Sequence, residues 1–238
     1  MTSDSGLLVV DKPAGLTSFQ CVARIRRTLG QKLRVGHCGT LDPMAQGVLL
    51  VLFGRAATRL QESFLGLEKR YWFRARWGIT TDTGDREGKE VARFPTDHLT
   101  ADALAQTAAG FVGEVQQTPP AYAALKFKGR HYYDWARQGV EIPRAARPVT
   151  IYAFDVLAHD ADHWEARVRC SRGTYVRTLA EDVAKRLSSG SHLVDLIRER
   201  VGPYRREDAL KWPEIETMSR DALLTHVQDP LHHHAGIV

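Results

Sequence analysis

The chain has 238 residues, of which 43% are hydrophobic and 26% charged, and its formal net charge is +5. These values exclude a disordered protein, a collagen-like repeat and a disulfide-rich miniprotein. No stretch approaches the roughly 20 apolar residues of a membrane-spanning helix, and the N-terminus shows no secretory signal pattern. Three widely spaced cysteines suit a reducing compartment, so the sequence predicts a cytoplasmic protein without membrane association.

The positive charge is concentrated in two segments. Six basic and no acidic residues lie between Asp11 and Asp42, and residues 126–147 contain six basic and two acidic ones. Residues 207–238 carry a net charge of −4, so residues 1–206 carry +9. Basic segments of this kind can follow a phosphate backbone. A solvated helix face or loop would show the same composition.

The first third of the chain alternates short apolar strands with helices. Residues 7–10 predict a buried strand, and Thr17 or Ser18 is a suitable N-cap for the helix that follows. Residues 47–53 predict a second strand, and residues 56–65 predict a short helix. The helix after the N-cap is expected to bury one face, formed by Phe19, Val22, Ile25 and Leu29.

The rest of the chain shows strand and helix patterns that are interspersed. Alternation over residues 70–77 predicts a strand with Tyr71 on its apolar face. The further predicted elements are a helix at 101–109, paired strands at 149–158 and 163–170, a helix at 174–187 and a strand at 193–197. Because several strands resemble hairpins, the predicted fold class is α+β, with a mixed, largely antiparallel central sheet flanked by helices.

Residues 36–49 form the candidate catalytic segment of the sequence. They read Gly-His-Cys-Gly-Thr-Leu-Asp-Pro-Met-Ala-Gln-Gly-Val-Leu. The proline at 43 biases Asp42 toward an extended or turn conformation. A loop carboxylate with His37 five residues away is a candidate catalytic pair. Alternatively, Asp42 caps a turn and His37 is a surface histidine.

Two further residues stand out. Arg177 lies in the first turn of the helix predicted at 174–187, where a cation opposes the helix macrodipole by up to about 1 kcal/mol. A fixed partner carboxylate would offset that cost, whereas an exposed arginine would need no partner. Tyr71 could be held rigidly against a flat base, or it could be an ordinary core tyrosine.

The sequence resembles a known family at several places. Residues 36–49 look like the signature of the TruB-type tRNA pseudouridine-55 synthases. Other blocks of that family occur here in the family's order, and the blocks together extend over residues 7–204. These blocks are residues 12–18, 69–71, 81–85, 117–126, 171–177 and 192–193.

The resemblance implies a pseudouridine synthase fold and an isomerase that converts uridine 55 in the T loop of tRNA by base flipping. Asp42 would be the essential aspartate, acting as a nucleophile or as a base at the ribose. Arg177 would pair with Asp42 and keep it ionised. Tyr71 would stack on the flipped uracil, and His37 would fill the space left by the extruded base.

The resemblance also implies supporting roles around the pocket and needs no metal or nucleotide cofactor. Lys12 and Tyr175 would support the pocket, and Leu196 would line the uracil site. Charge alone, without the resemblance, suggests three contacts to the RNA backbone, namely Lys126, Lys128 and Arg130. The expected partner is the T stem-loop of tRNA, bound by a monomer.

Some features depart from the family or leave alternatives open. Residues 1–206 are expected to form the catalytic domain, and residues 207–238 a short acidic tail rather than a complete RNA-binding domain of the PUA type. Cys38 is expected to be a packed free thiol, and the run of His232, His233 and His234 an exposed tail rather than a metal site. The same catalytic blocks would serve a synthase acting on other RNA, and a non-catalytic RNA-binding protein is a further alternative.

Overall fold

The computed structural model describes residues 5–30 and 32–230, so the histidine run at 232–234 lies outside the described residues. The strands in chain order are β1 (Gly6–Lys12), β2 (Val35–Cys38), β3 (Gln46–Phe53), β4 (Lys69–Trp77), β5 (Ile79–Thr81), β6 (Glu90–Arg93), β7 (Gly113–Gln117), β8 (Lys126–Phe127), β9 (Arg130–His131), β10 (Arg147–His159), β11 (His163–Cys170), β12 (Ser191–Val201), β13 (Tyr204–Arg205) and β14 (Leu210–Lys211). The helices are α1 (Ser18–Leu29), α2 (Gly54–Thr58), α3 (Gln61–Gly66), α4 (Ala101–Ala109), α5 (Tyr132–Ala136), α6 (Val176–Arg186), α7 (Trp212–Thr217) and α8 (Arg220–Leu224). None of the helices in this described part is long and apolar enough to cross a bilayer.

The chain divides into two compact units, and the first comprises residues 1–69 and 197–238. Its central strand β3 is antiparallel to β1 and β2. The last residues of β12 run parallel to β3, and β14 runs parallel to β1. Helices α1, α7 and α8 bury apolar side chains against this sheet, so the acidic segment after residue 206 contributes Leu210, Trp212, Ile215 and Leu223 to the core.

The second unit comprises residues 70–196. Here β4 lies between the start of β12 and β11, followed by β10 and the edge strand β7. Both β11 and β7 are antiparallel to β10. As the alternation predicted, Tyr71, Phe73, Ala75 and Trp77 are buried. A mixed sheet with flanking helices confirms the predicted α+β class.

Helix α1 begins as predicted but buries a different face. Thr17 is the N-cap and forms a capping box with Gln20. The buried face is Ser18, Cys21, Val22, Ile25 and Leu29. Phe19 was predicted on this face, and that prediction is wrong, because its side chain is 69% exposed. Ser18 takes the inward position, where its hydroxyl bonds to the backbone of residue 41.

The single helix predicted over residues 56–65 is also wrong in detail. The structure has two short helices, α2 and α3, that meet at Arg59 and Leu60. The backbone N–H of Leu60 bonds to the carbonyl of Ala57, an i→i−3 bond that tightens the chain there. Apolar periodicity continues across the turn, so the pattern alone does not reveal the break.

Gly47 permits the close approach of β3 and β12. Its φ is +106°, and a Cβ atom would lie 2.2 Å from the backbone oxygen of Arg198. We therefore expect Gly47→Ala to lower the free energy of unfolding by at least about 3 kcal/mol, since both strain and backbone overlap oppose it. Gly36→Ala is the control, because a Cβ there meets nothing within 4 Å. Urea denaturation compares the two, and an equal effect of both changes would contradict this account of Gly47.

Candidate active site

Asp42 lies in a tight turn between β2 and β3. The backbone N–H of Ala45 donates to the carbonyl oxygen of Asp42 at 3.1 Å, and Pro43 occupies the second position of the turn. Leu41, Met44 and Ala45 are buried, whereas Asp42 is only half-buried. Apolar anchors on both sides therefore hold the turn, while Asp42 keeps part of its surface exposed.

The side of the loop that faces α1 is fixed by polar contacts within the first unit. The Ser18 hydroxyl accepts a bond from the backbone N–H of Leu41 at 2.9 Å and donates to its carbonyl at 3.2 Å. The fully buried Lys12 ammonium donates to the carbonyls of Pro13, Leu16 and Pro43 at 2.8, 2.5 and 3.2 Å. Charge-assisted bonds of this kind hold the turn in one geometry.

Arg198 fixes the other side of the same loop. Its Nε donates to the carbonyl of Val48 at 2.7 Å, and its Nη2 donates to the carbonyl of Gly39 at 2.9 Å. The side chain is buried, so it joins the two ends of the glycine-rich segment from inside the protein. Sequence reasoning missed the positioning roles of Arg198 and Ser18, because both depend on contacts far apart in the chain.

His37 lies on β2 and pairs in register with Val51 of β3. Burial, with a smaller contribution from the Arg198 guanidinium, lowers its pKa below the usual value. The imidazole is therefore neutral at pH 7. Its buried Nδ1 has no hydrogen-bond partner among the described residues.

Arg177 lies in the first turn of α6, as predicted, and its guanidinium joins three segments of the second unit. Nη1 donates to the carbonyl of Thr83 at 2.7 Å, and Nη2 donates to the carbonyl of Tyr122 at 2.8 Å. The charge of Arg177 opposes the helix macrodipole, but its guanidinium has specific hydrogen-bond acceptors in the folded protein. Residues 81–85, 117–126 and 171–177, three of the blocks that resemble the family, meet at this side chain.

Asp85 is a carboxylate partner of Arg177 that sequence reasoning missed. Its Oδ2 lies 3.8 Å from Arg177 Nη1, and the two side chains are 6% and 4% exposed. Its Oδ1 accepts bonds from the Thr83 hydroxyl at 2.7 Å and the Glu87 N–H at 3.0 Å. The only sequence signal was the Thr-Asp-Thr-Gly-Asp turn.

A second carboxyl group lies close to Arg177 along the helix. Burial raises the pKa of Glu181, one helical turn after Arg177, to about 7.

The other predicted pocket residues of the second unit lie on two strands of the sheet and at the start of α6. Tyr71 is buried on β4, and Leu196 is buried on β12. Tyr175 is the N-cap of α6. Its backbone N–H donates to Gln117 Oε1 at 2.7 Å, and Gln117 Nε2 donates to its carbonyl at 3.0 Å. Gln117, buried at the end of β7, therefore fixes the start of the helix that carries Arg177.

The three predicted backbone contacts lie on one exposed hairpin formed by β8 and β9. Lys128 and Gly129 have φ values of +49° and +81°, as in a tight type I′ turn. Lys126, Lys128 and Arg130 are all exposed. Arg130 stacks on Trp135 with its Cζ 4.5 Å from the ring centroid. The hairpin therefore presents cations supported by aromatic rings.

Cys38 is fully buried in an apolar cluster with Leu7, Val48 and Leu50. Burial raises the pKa of its thiol to about 12, so it is protonated at neutral pH. This agrees with the predicted packed thiol. Among the described residues, no group of three or more His, Cys, Asp or Glu side chains is placed to hold a metal ion.

Comparison with known proteins places the chain in a family. Residues 26–176 match the family described as "TruB family pseudouridylate synthase (N terminal domain)". Proteins named tRNA pseudouridine synthase B are similar over most of the chain. The one from Aromatoleum aromaticum is 44% identical over 93% of this chain and 72% of its own length. The one from Desulfotalea psychrophila is 44% identical over 92% of this chain and 89% of its own.

A solved structure supports the same assignment. The crystal structure of a Cbf5-Nop10-Gar1 complex contains a chain that is 26% identical, with a TM-score of 0.71. The match covers 96% of this chain and 61% of that one, so this protein spans less than two thirds of its solved relative. The sequence resemblance predicted from residues 7–204 is confirmed. The chain belongs to the TruB family of pseudouridylate synthases, which are isomerases.

Proposed function

We propose that this protein isomerises a uridine of tRNA to pseudouridine, and that its target is uridine 55 in the T loop. The observation that carries the proposal is the half-buried Asp42 carboxylate, on a turn that Ser18, Lys12 and Arg198 hold from both sides. Relatives that share 44% of their residues with the chain are named tRNA pseudouridine synthase B, which favours tRNA as the substrate.

The proposed reaction needs no atoms or electrons beyond those of the nucleotide. The bond between N1 and C1′ breaks, the base rotates, and a bond forms between C5 and C1′. The proton on C5 is lost, and N1 carries a proton in the product. Because the reacting atoms are inaccessible in a stacked loop, the base must first be flipped out, at a cost of a few kcal/mol. Asp42 would attack the ribose or remove a proton from it.

Other side chains would prepare and protect that step. In this proposal Arg177 pairs with Asp42 and keeps the carboxylate ionised, because a nearby cation favours the charged form. Tyr71 would stack on the flipped uracil and relay a proton. Leu196 would line the uracil site, while Lys12 and Tyr175 would support the pocket.

The remaining predicted residues would contact the rest of the RNA loop. His37 would occupy the space left by the extruded base, and its neutral state lowers the cost of inserting it among stacked bases. The exposed cations on the β8–β9 hairpin would contact phosphates. The proposed partner is the T stem-loop, bound by a monomer in the cytoplasm.

The test is to incubate the protein with unmodified tRNA and to map pseudouridine at nucleotide resolution. We expect one modified position, uridine 55, and no reaction when that uridine alone is replaced by cytidine. Unmodified ribosomal RNA is the second substrate. Modification of ribosomal RNA but not of tRNA would contradict the proposed substrate, and modification elsewhere in the tRNA would contradict the proposed position.

A further inference from the structure

Phe19 is an exposed aromatic residue at the beginning of α1. Its side chain is 69% exposed, the largest value among the exposed large hydrophobic residues of the described ranges 5–30 and 32–230. Single exposed apolar side chains are common on protein surfaces, so exposure alone indicates little. The position of the ring relative to the Asp42 turn is more informative.

Phe19 directly follows the residue that fixes the Asp42 turn. The hydroxyl of Ser18 bonds to both backbone groups of Leu41, next to Asp42. The backbone N–H of Gly15 also donates to the carbonyl of Pro43 at 2.8 Å. Consecutive Cα atoms are about 3.8 Å apart, so the Phe19 backbone is held beside the turn.

The loop before α1 and the Asp42 turn both have exposed residues. Ala14, Gly15 and Pro43 are exposed, and a Cβ atom at Gly15 would meet nothing within 4 Å. Residue 15 therefore adds no side chain next to Pro43, to which its backbone N–H donates.

A cation lies on the same exposed line of the helix. Phe19, Ala23 and Arg27 are spaced by four residues, which places them in one row on the helix surface. Arg27 is exposed and lies about 12 Å from Phe19 along the helix axis. Arg26 is turned inward instead and donates to the carbonyl of Val35 at 3.0 Å. The surrounding segment has no acidic residue between Asp11 and Asp42.

We infer that this row, Phe19–Ala23–Arg27, is an RNA-contact surface beside the Asp42 turn. Phe19 stacks on an unpaired base that neighbours the target uridine, and Arg27 contacts a backbone phosphate. Aromatic rings combined with cations are how proteins hold single-stranded nucleic acid, and RNA loops supply unstacked bases for such rings. This inference rests on the proposed function, because it takes the substrate to be an RNA loop.

The experiment measures the affinity of the full chain for unmodified tRNA over a range of salt concentrations. Phe19→Ala is expected to raise Kd about 10-fold at every salt concentration, since stacking is not ionic. Phe19→Trp keeps an aromatic ring at this position and is expected to bind tRNA as tightly as the unchanged protein. Arg27→Ala is expected to raise Kd and to reduce the slope of log Kd against log salt by about 1, as the loss of one phosphate contact does.

Val91→Ala is the matched control, because Val91 on β6 is 66% exposed and apolar. We expect its Kd to stay within about twofold of that of the unchanged protein. Thermal unfolding checks that each variant is folded. A Phe19→Ala variant with unchanged Kd, or a Val91→Ala variant that loses as much affinity, would overturn the inference. Pseudouridine formation by the unchanged protein is measured in parallel, so a failure of the proposed function is recognised separately.

Discussion

Asp42→Asn is expected to reduce pseudouridine formation by on the order of 10³-fold or more, with Kd for tRNA within about twofold of that of the unchanged protein. The amide has nearly the same size, and the hydrogen bonds that the backbone groups of Leu41 and Ala45 make in this turn do not require a carboxylate. It can act neither as a nucleophile nor as a base, and either role contributes at least about 10²-fold. Single-turnover kinetics with saturating enzyme measure the loss directly.

Two further variants test whether the loss is specific to Asp42 and to the position of its carboxylate. Asp97→Asn changes an exposed carboxylate elsewhere and is expected to leave the rate unchanged. Asp42→Glu keeps the charge but moves the carboxylate by one methylene, so we expect a loss of about 10²-fold from misplacement alone. An Asp42→Asn variant with the rate of the unchanged protein would refute the catalytic assignment. A large loss of tRNA affinity instead would show that Asp42 serves binding.

The sequence predicted those parts of the fold that depend on local periodicity. Alternation in β4 placed Tyr71 on the buried face, and the apolar stripe of α6 placed Arg177 in its first turn. The same reasoning failed at Phe19, because hydrophobicity favours burial of the ring over the neighbouring serine, whereas the structure buries Ser18. Ser18 is buried because its hydroxyl satisfies the backbone of Leu41, a contact 23 residues away.

Candidate site residues were predictable where they break a local rule or match a family motif. Arg177 was a candidate functional residue on physical grounds alone, since a cation opposes the dipole at the N-terminus of a helix. Asp85, Arg198 and Gln117 break no local rule, and no role was predicted for them, although Asp85 and Gln117 lie in blocks that resemble the family. Their contacts span 92, 150 and 58 residues of the chain, and only the folded structure brings these groups together.

The pair formed by Asp85 and Arg177 allows a structural role to be separated from a positioning role. Each side chain is almost fully buried, so changing one removes a charged neighbour of the other. Asp85→Asn and Arg177→Met are each expected to lower the free energy of unfolding by about 3 kcal/mol. In the double variant neither charge of the pair remains, and its loss of stability should be about 2 kcal/mol smaller than the sum of the single losses.

Activity should follow a different pattern in the same four proteins. Arg177→Met is expected to lower the single-turnover rate by about 10²-fold, because the proposed partner of the Asp42 carboxylate is gone. Asp85→Asn should lower it by about 10-fold, through a displaced Arg177. If Asp85 acts only through Arg177, adding Asp85→Asn to the Arg177→Met variant will restore part of the stability and leave the rate where it was. A single-turnover rate 10-fold lower in the double variant than in Arg177→Met would contradict this. Asp85 would then contribute to the reaction independently of Arg177.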